Sequence, residues 1–342
     1  MSDHESPLDF SLHETDLVYS ASGVVRDGPD VAAADWSAGA MLPFADLPIS
    51  PAASVLSYGL GIFEGLKVQR TSDGRLLVFR LPDHAERFRR SATALLLPPF
   101  PAELFQAAVK ELVRGNITHV PAPDQGSLYV RATQFADQGQ LGLAACRRAR
   151  VVMYGSPVGS YFDPDGDGIK LRLLDRSRVP AGGTGWAKAI GNYAGGLATR
   201  TEWAQQGFDD VLYVDARSFR FLAETSGANV FVRFTDGTVA TPKLDDQILP
   251  GVTRDSVITL LQSEGITVQE RDIDREEVYA DAVEMFCTGT AWTVQSVARL
   301  DHEKQNRQFD SQDTRCWLGE RLARIKSGEE SELWGWCLEI SG

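Results

Sequence analysis

The chain reads as a mixed α/β protein of two domains, and three observations say so. At 342 residues it is longer than one small core organises. Amphipathic helical stretches alternate with short apolar, strand-like runs along most of its length. One segment, SPVGSYFDPDGDG (156–168), holds two prolines, three glycines and three aspartates, and a fresh strand pattern, IKLRLLD, follows it. That composition marks a domain boundary. The expected division is a smaller N-terminal domain over 1–157, a linker over 158–168 and a larger C-terminal domain over 169–342.

Bulk properties exclude several classes. The apolar fraction of 43% and charged fraction of 24% are those of an ordinary globular protein. A net charge of -13 argues against nucleic acid, since phosphate backbones need a basic face. The five histidines are scattered and the four cysteines (Cys146, Cys287, Cys316, Cys337) form no CxxC pair. Neither a metal site nor a disulfide framework is expected, and a reducing compartment fits. The polar, acidic start MSDHESPLDF is unlike a signal peptide. No apolar run reaches the ~20 residues of a membrane span. The expected location is the cytoplasm.

In order along the chain, Leu17-Val18-Tyr19 predicts a short strand. VLSYGLGIFEGLKVQR packs aromatic residues between glycines, and Ser72-Asp73-Gly74 turns it into LLVF as a hairpin. Tyr58 and Phe63 read first as core, and as pocket walls only if their neighbours prove functional. LPDHAERFRRSATALLLP predicts a helix with Asp83 and Glu86 in a capping-box pattern and Pro98-Pro99 as its stop. Arg87 sits at the edge of its apolar stripe, either as a surface charge with a packed stem or as a planar fork aimed at a phosphate. PAELFQAAVKELVRGN is the clearest helix. In SLYVRAT, Leu128, Val130 and Ala132 share one face, and Tyr129, Arg131 and Thr133 the other. That second face is either solvated or receives a carboxylate. Tyr161 and Phe162 are aromatics in an otherwise polar linker.

The second half carries the sharper chemistry. In GGTGWAKAIGNY (182–193), Lys188 lies among small residues, its nearest charged neighbours being Arg178 and Arg200. A lysine in a tight, backbone-rich setting is either an ordinary loop residue or an amine that desolvation keeps nucleophilic, able to form a Schiff base with a carbonyl cofactor. Glu224 is the only charge between Arg220 and Arg233. It reads as a turn-capping acid or as a buried anion with a cationic partner. ILPGVTRDSVITLLQSEG enters a helix at Thr253, an ordinary cap or an anion site. Asp274 and Glu277 form a second capping-box pattern. Around Gly289, Thr288 and Thr290 again present backbone N–H groups.

Together these are the parts that hold pyridoxal 5'-phosphate: a Schiff-base lysine, an acid for the ring nitrogen, a helix start and an arginine for the phosphate. The segments YGLGIFEGLK, HAERF, SLYVR, SPVGSYF, K-x-x-GNYA, ETSGANVFV, PGVTRDS and CTGTA, in that order, resemble the class IV pyridoxal-phosphate aminotransferases, most of all the branched-chain amino acid aminotransferases. The resemblance runs from about Phe44 to the Trp-rich tail. It implies a two-domain fold like that of D-amino acid aminotransferase and a homodimer or larger homo-oligomer. It implies that Lys188 bears the cofactor and moves the proton, that Tyr193 meets the ring hydroxyl, and that Glu224 meets the ring nitrogen. Arg87, Val252, Thr253 and Thr290 then hold the phosphate, and Tyr129 and Ala291 the substrate carboxylate. Tyr58, Phe63, Arg131 and Tyr161 line the side-chain pocket.

The implied reaction moves the amino group of a branched-chain or other apolar L-amino acid to 2-oxoglutarate. Trp292 and Gln295 depart from the family's usual small residues and proline. They keep a second reading open, a D-amino acid or amine transaminase or a lyase of the same class.

Overall fold

The computed structural model describes residues 8–26, 30–163, 166–303, 305–330 and 334–340. The first seven residues of the acidic start, and positions 164 and 165 of the expected linker, lie outside them.

In chain order the first elements are β1 (Leu17–Val25), β2 (Ala34–Trp36), β3 (Ala40–Pro43), α1 (Ser54–Tyr58), β4 (Gly61–Arg70), β5 (Leu76–Phe79), α2 (Leu81–Ala94), α3 (Ala102–Gly115), β6 (Ser127–Ala136) and β7 (Arg148–Val158). Then follow β8 (Ile169–Leu173), α4 (Gly191–Ala194), α5 (Leu197–Ala204), β9 (Asp210–Val214), β10 (Leu222–Thr225), β11 (Asn229–Phe234), β12 (Val239–Pro242) and α6 (Val252–Ser263). The last are β13 (Val268–Arg271), α7 (Arg275–Asp281), β14 (Ala282–Gly289), β15 (Thr293–His302), β16 (Gln305–Gln308), α8 (Asp313–Lys326) and β17 (Cys337–Glu339).

Two compact units result. The first comprises Met1–Tyr161, Ala187–Ile190 and Ala323–Gly342, and the second Phe162–Trp186 and Gly191–Leu322. The chain leaves the first unit at Tyr161, within the expected linker. The single boundary expected from the sequence is nevertheless corrected in two places. The tetrapeptide carrying Lys188 groups with the first unit, because Ala189 bridges Ile62 of β4. The C-terminal segment does so because β17 adds an antiparallel strand beside β5. The first unit is therefore the larger in residues, the reverse of the expected size order.

The first unit is an antiparallel sheet ordered β17-β5-β4-β6-β7-β1-β2, with β3 also on β1. Leu66, Val68, Leu128, Val130 and Ala132 face a core shared with Leu81, Phe88, Phe105, Val109 and Leu112 of α2 and α3. Alternation then turns Phe63, Gly65, Tyr129, Arg131 and Thr133 to the opposite face, the face division expected for SLYVRAT. Full register between β4 and β6, Phe63 opposite Thr133 and Gly65 opposite Arg131, fixes which side chains meet there.

The second unit is a mixed sheet ordered β10-β9-β8-β15-β14-β11-β12-β13. A further pairing of Glu224 with Asn229 joins β10 to β11 and closes six strands into a ring. Phe231 and Phe286 stack in its buried part, their rings 5.1 Å apart.

Two local expectations change. The Asp83–Glu86 capping box does not form: the helix begins at Leu81 after Arg80, which has no side-chain cap bond. Asp83 therefore lies inside the first turn, where it pairs with Arg80 at 2.8 Å. YAGGLATRTEWAQQG gives two helices, α4 and α5, because Gly195-Gly196 interrupts the run. The Asp274–Glu277 capping box forms as expected. Among the described residues no helix is long and apolar enough to cross a membrane.

Candidate active site

The first unit assembles its functional groups on β4, α2 and β6. Glu64 points to the helix side of β4 and is fully buried. Arg87, on the facing turn of α2, donates to it from Nε at 2.8 Å and Nη2 at 2.6 Å. His84 Nδ1 lies 3.1 Å from the same carboxylate, and the Gly65 N–H donates at 2.8 Å. Burial alone pushes the Glu64 carboxyl up. Arg87 and then His84 outweigh it and hold the group well below the usual carboxylate range. Burial lowers the His84 pKa against the pull of Glu64, and the nearby charges of Arg87 and Lys188 lower it further. The Arg87 of the sequence reading is thus a buried, oriented cation rather than a surface charge. A guanidinium has five donors, of which Glu64 takes two.

Lys188 is carried against the edge of β4. Its N–H donates to Ser91 Oγ at 3.0 Å, its carbonyl accepts from the Phe63 N–H at 3.0 Å, and Ile190 N–H donates to Gly61 O at 3.1 Å. Its Nζ lies 4.6 Å from the Phe63 ring centroid. The ends of the loop are tied to each other, with Asn192 Nδ2 donating to Thr184 O at 2.7 Å and Thr184 Oγ1 to Asn192 Oδ1 at 3.0 Å.

On the opposite face of the same sheet Arg131 stacks between aromatics. Its guanidinium carbon is 4.7 Å from the Phe63 ring and 5.3 Å from the Tyr129 ring. Its Nη2 donates to Tyr129 Oη at 3.4 Å. Its buried Nε has no hydrogen-bond partner among the described residues. Tyr129 lies so close over Gly65 that a Cβ there would meet its hydroxyl at 1.8 Å, so only glycine fits. Phe10 joins this group, 5.2 Å from Tyr129 and 5.0 Å from Tyr161. Tyr58 is elsewhere: it ends α1, is 41% exposed, and donates its hydroxyl to the Leu141 carbonyl.

The second unit holds the acid and the helix start. Glu224 is buried on β10 and pairs with Arg178 at 2.5 Å, both side chains nearly inaccessible. Asn229 Nδ2 donates to Glu224 at 3.1 Å and the Leu249 N–H at 3.3 Å. Of the alternatives open in the sequence, the structure selects the buried anion with a cationic partner. Arg178 also lies 6.0 Å from the Tyr193 ring centroid. Asn229 packs against Gly251, where a Cβ would meet its Oδ1 at 2.1 Å. Gly251 caps α6 with no side-chain cap bond, so the first-turn amides of Val252 and Thr253 are not closed by a side chain, and both residues are buried. Thr290, Ala291 and Trp292 form the turn between β14 and β15. Thr293, directly after it, has a φ of 58°, a left-handed conformation that costs a β-branched residue strain. Trp292 is buried against Phe162 with rings 4.9 Å apart.

Sequence reasoning missed Glu64, His84, Ser91, Arg178 and Asn229. Glu64 is visible as the single acid in an aromatic, glycine-rich run, and Arg178 as the nearest cation before Lys188. Nothing local marks Ser91.

The donor set suits an anionic, ring-bearing cofactor. Taken singly, the anchored Arg87 of the first unit has the donors for a phosphate, the uncapped start of α6 in the second unit suits an anion, and the Glu224 carboxylate suits a protonated ring nitrogen. These are the parts of a pyridoxal-phosphate enzyme. A family model described as amino-transferase class IV matches residues 61–300. The chain is 36% identical over 338 residues to a chloroplastic branched-chain-amino-acid aminotransferase of Arabidopsis thaliana, covering 98% of this chain and 79% of that one. It is also 36% identical to a methionine aminotransferase of the same plant, covering 97% and 92%. Among solved structures, the branched-chain aminotransferase of the thermophilic archaeon Thermoproteus uzoniensis with norvaline is similar at TM-score 0.78 and 30% identity, covering 88% of this chain and 97% of that one. The chain belongs to the class IV aminotransferases.

Proposed function

We propose that this aminotransferase moves the amino group of a branched-chain or other apolar L-amino acid to 2-oxoglutarate, giving the 2-oxo acid and L-glutamate. The cofactor is pyridoxal 5'-phosphate, which when bound supplies an electron sink for the substrate's α-carbon. Lys188 would hold it covalently through Nζ, and, once the donor's amino group has displaced it, the freed amine would take the α-proton and return it, nucleophile and general base in turn. Glu224, steadied by Arg178 and Asn229, keeps the ring nitrogen protonated, with Tyr193 at the ring hydroxyl. Arg87, Thr290 and the first-turn amides of Val252 and Thr253 hold the phosphate. Tyr129 and the Ala291 turn take the substrate carboxylate, and Phe63, Arg131 and Tyr161 surround the side chain, while Tyr58, turned to Leu141, is left out of the pocket.

The observation that carries the substrate reading is the Phe63–Arg131–Tyr129 stack. Two aromatic rings offer an apolar wall, and the cation between them makes no ion pair with an acid among the described residues. One pocket of that kind suits an apolar side chain in one half-reaction and the second carboxylate of glutamate in the other. The names of the relatives support this: branched-chain substrates in one and methionine in the other, with norvaline in the Thermoproteus uzoniensis structure.

The test is a panel of L and D, aliphatic, sulfur-containing and aromatic donors with 2-oxoglutarate as acceptor. L-leucine, L-isoleucine and L-valine are expected to lead. A D-amino acid or a simple amine leading instead would overturn the substrate assignment. The same reading makes the working form a homodimer or larger homo-oligomer in the cytosol. Exposed Leu56, Leu141 and Leu143 support the first point, and four cysteines that form no disulfide support the second. Sedimentation and fractionation measure them.

A further inference from the structure

Helix α2 turns three polar side chains inward. His84, Arg87 and Ser91 follow at spacings of three and four residues, so they share one face, and their exposures are 2%, 4% and 1%. Buried polar groups are costly unless paired. His84 and Arg87 are explained by Glu64. Ser91 is explained differently: its Oγ accepts the backbone N–H of Lys188 at 3.0 Å, a bond spanning 97 residues of sequence. Serine is a poorer helix former than alanine and in mid-helix often bonds the carbonyl one turn back. Here it reaches the lysine loop instead.

The lysine's main chain is thereby held from two sides. α2 takes its N–H through Ser91, and β4 takes its carbonyl through the Phe63 N–H. The Ala189–Ile62 bridge and the Ile190 N–H to Gly61 O bond continue the attachment along β4. Ser91 also lies one helical turn beyond Arg87. One rigid face of α2 therefore orients both Arg87 and Lys188.

We propose that Ser91 is a positioning residue for Lys188, fixing the peptide from which the reactive amine extends. The proposal rests on the reading of Lys188 as the cofactor-bearing, proton-moving residue. Proton transfer is sensitive to placement on the ångström scale. With Ser91 removed, the Lys188 amide loses this acceptor in a partly buried setting and the loop relaxes away from α2.

The experiment compares wild-type holoenzyme with Ser91→Ala and Ser91→Thr. Three quantities are read: hydrogen exchange at the Lys188 amide, the pH midpoint of the bound cofactor's visible absorbance, and kcat and KM for the amino donor. Ser91→Ala is expected to speed exchange about tenfold, the loss of roughly one partly buried hydrogen bond. It is expected to shift the absorbance midpoint and to lower kcat about tenfold with KM within about twofold. Ser91→Thr, which keeps a hydroxyl, restores all three toward wild type. Unchanged exchange overturns the proposal, and so does faster exchange with kcat and midpoint unmoved, which would make Ser91 a structural residue alone. If Ser91→Ala does not fold, Ser91→Cys, with its weaker acceptor, carries the same readouts. Borohydride reduction and peptide mapping separate the two levels. Cofactor recovered on another lysine overturns the reading of Lys188, whereas cofactor on Lys188 with wild-type exchange in Ser91→Ala overturns only the role of Ser91.

Discussion

Replacing Glu64 by alanine tests the first unit's electrostatics most directly. The carboxylate is fully buried and accepts from Arg87 at 2.8 and 2.6 Å, from the Gly65 N–H at 2.8 Å, and lies 3.1 Å from His84 Nδ1. Removing it deprives a buried guanidinium of its carboxylate. Breaking a buried pair from one side costs about 3–5 kcal/mol, because the remaining charge stays desolvated. For a unit of this size that corresponds to a fall in Tm on the order of 10 °C. The double replacement Glu64→Leu with Arg87→Leu removes both charges, and most of the lost stability is expected to return. Cofactor affinity is not expected to return, since Arg87 is proposed to hold the phosphate. The assay is thermal unfolding of the apoprotein, followed by cofactor titration. A Glu64→Ala protein melting within about 2 °C of wild type would show that Arg87 has another buried partner or is hydrated, and the reasoning would fail.

The same cluster sets the acid limit of stability. Glu64 has a folded pKa below its ordinary value of 4.5, and His84 one below its ordinary 6.5. A depressed acid contributes stability above its unfolded pKa and loses it as pH falls, and a buried neutral histidine likewise opposes protonation below 6.5. Stability is therefore expected to fall first below about pH 6.5 and more steeply below about 4.5, and Glu64→Gln should flatten the second limb. Arg178→Met should leave the visible absorbance of the bound cofactor near wild type in amount while lowering kcat at least tenfold, because Glu224 loses its cationic partner; unchanged kcat would remove Arg178 from the site. For the thiols, burial pushes Cys287 well above its ordinary pKa and Cys146 up to about 11, while Cys316 is exposed. A disulfide reagent is expected to label Cys316 rapidly in the native protein and to reach Cys146 and Cys287 only on denaturation.

What was legible in the sequence is what local pattern encodes. Apolar period placed α3 and the two faces of β6, and turn residues placed the β4–β5 hairpin. Isolated charge in a small-residue setting picked out Lys188 and Glu224, and a helix start picked out Thr253, with Val252 added only by the resemblance. Charge isolation works because a charge without local neighbours must find its partner through the fold. The partner itself lies outside any local window. Arg178 reaches Glu224 across 46 positions, and Glu64 meets Arg87 only because β4 and α2 pack face to face.

The sequence by itself determined the mixed α/β class and the membership that the order of its segments implies, and it singled out the lysine, acid and arginine as candidates. Tertiary structure alone decided to which unit the lysine belongs, that Arg87 is buried and oriented, and that Arg131 lies between two aromatic rings. The reason is one of range. Periodicity and capping are fixed within about one turn of chain, whereas a four-residue edge pairing such as Ala187–Ile190 on β4 draws its hydrogen bonds from residues more than 90 positions away. Once that pairing forms, the backbone satisfaction it provides overrides sequence proximity, and the loop that follows the linker joins the sheet that precedes it.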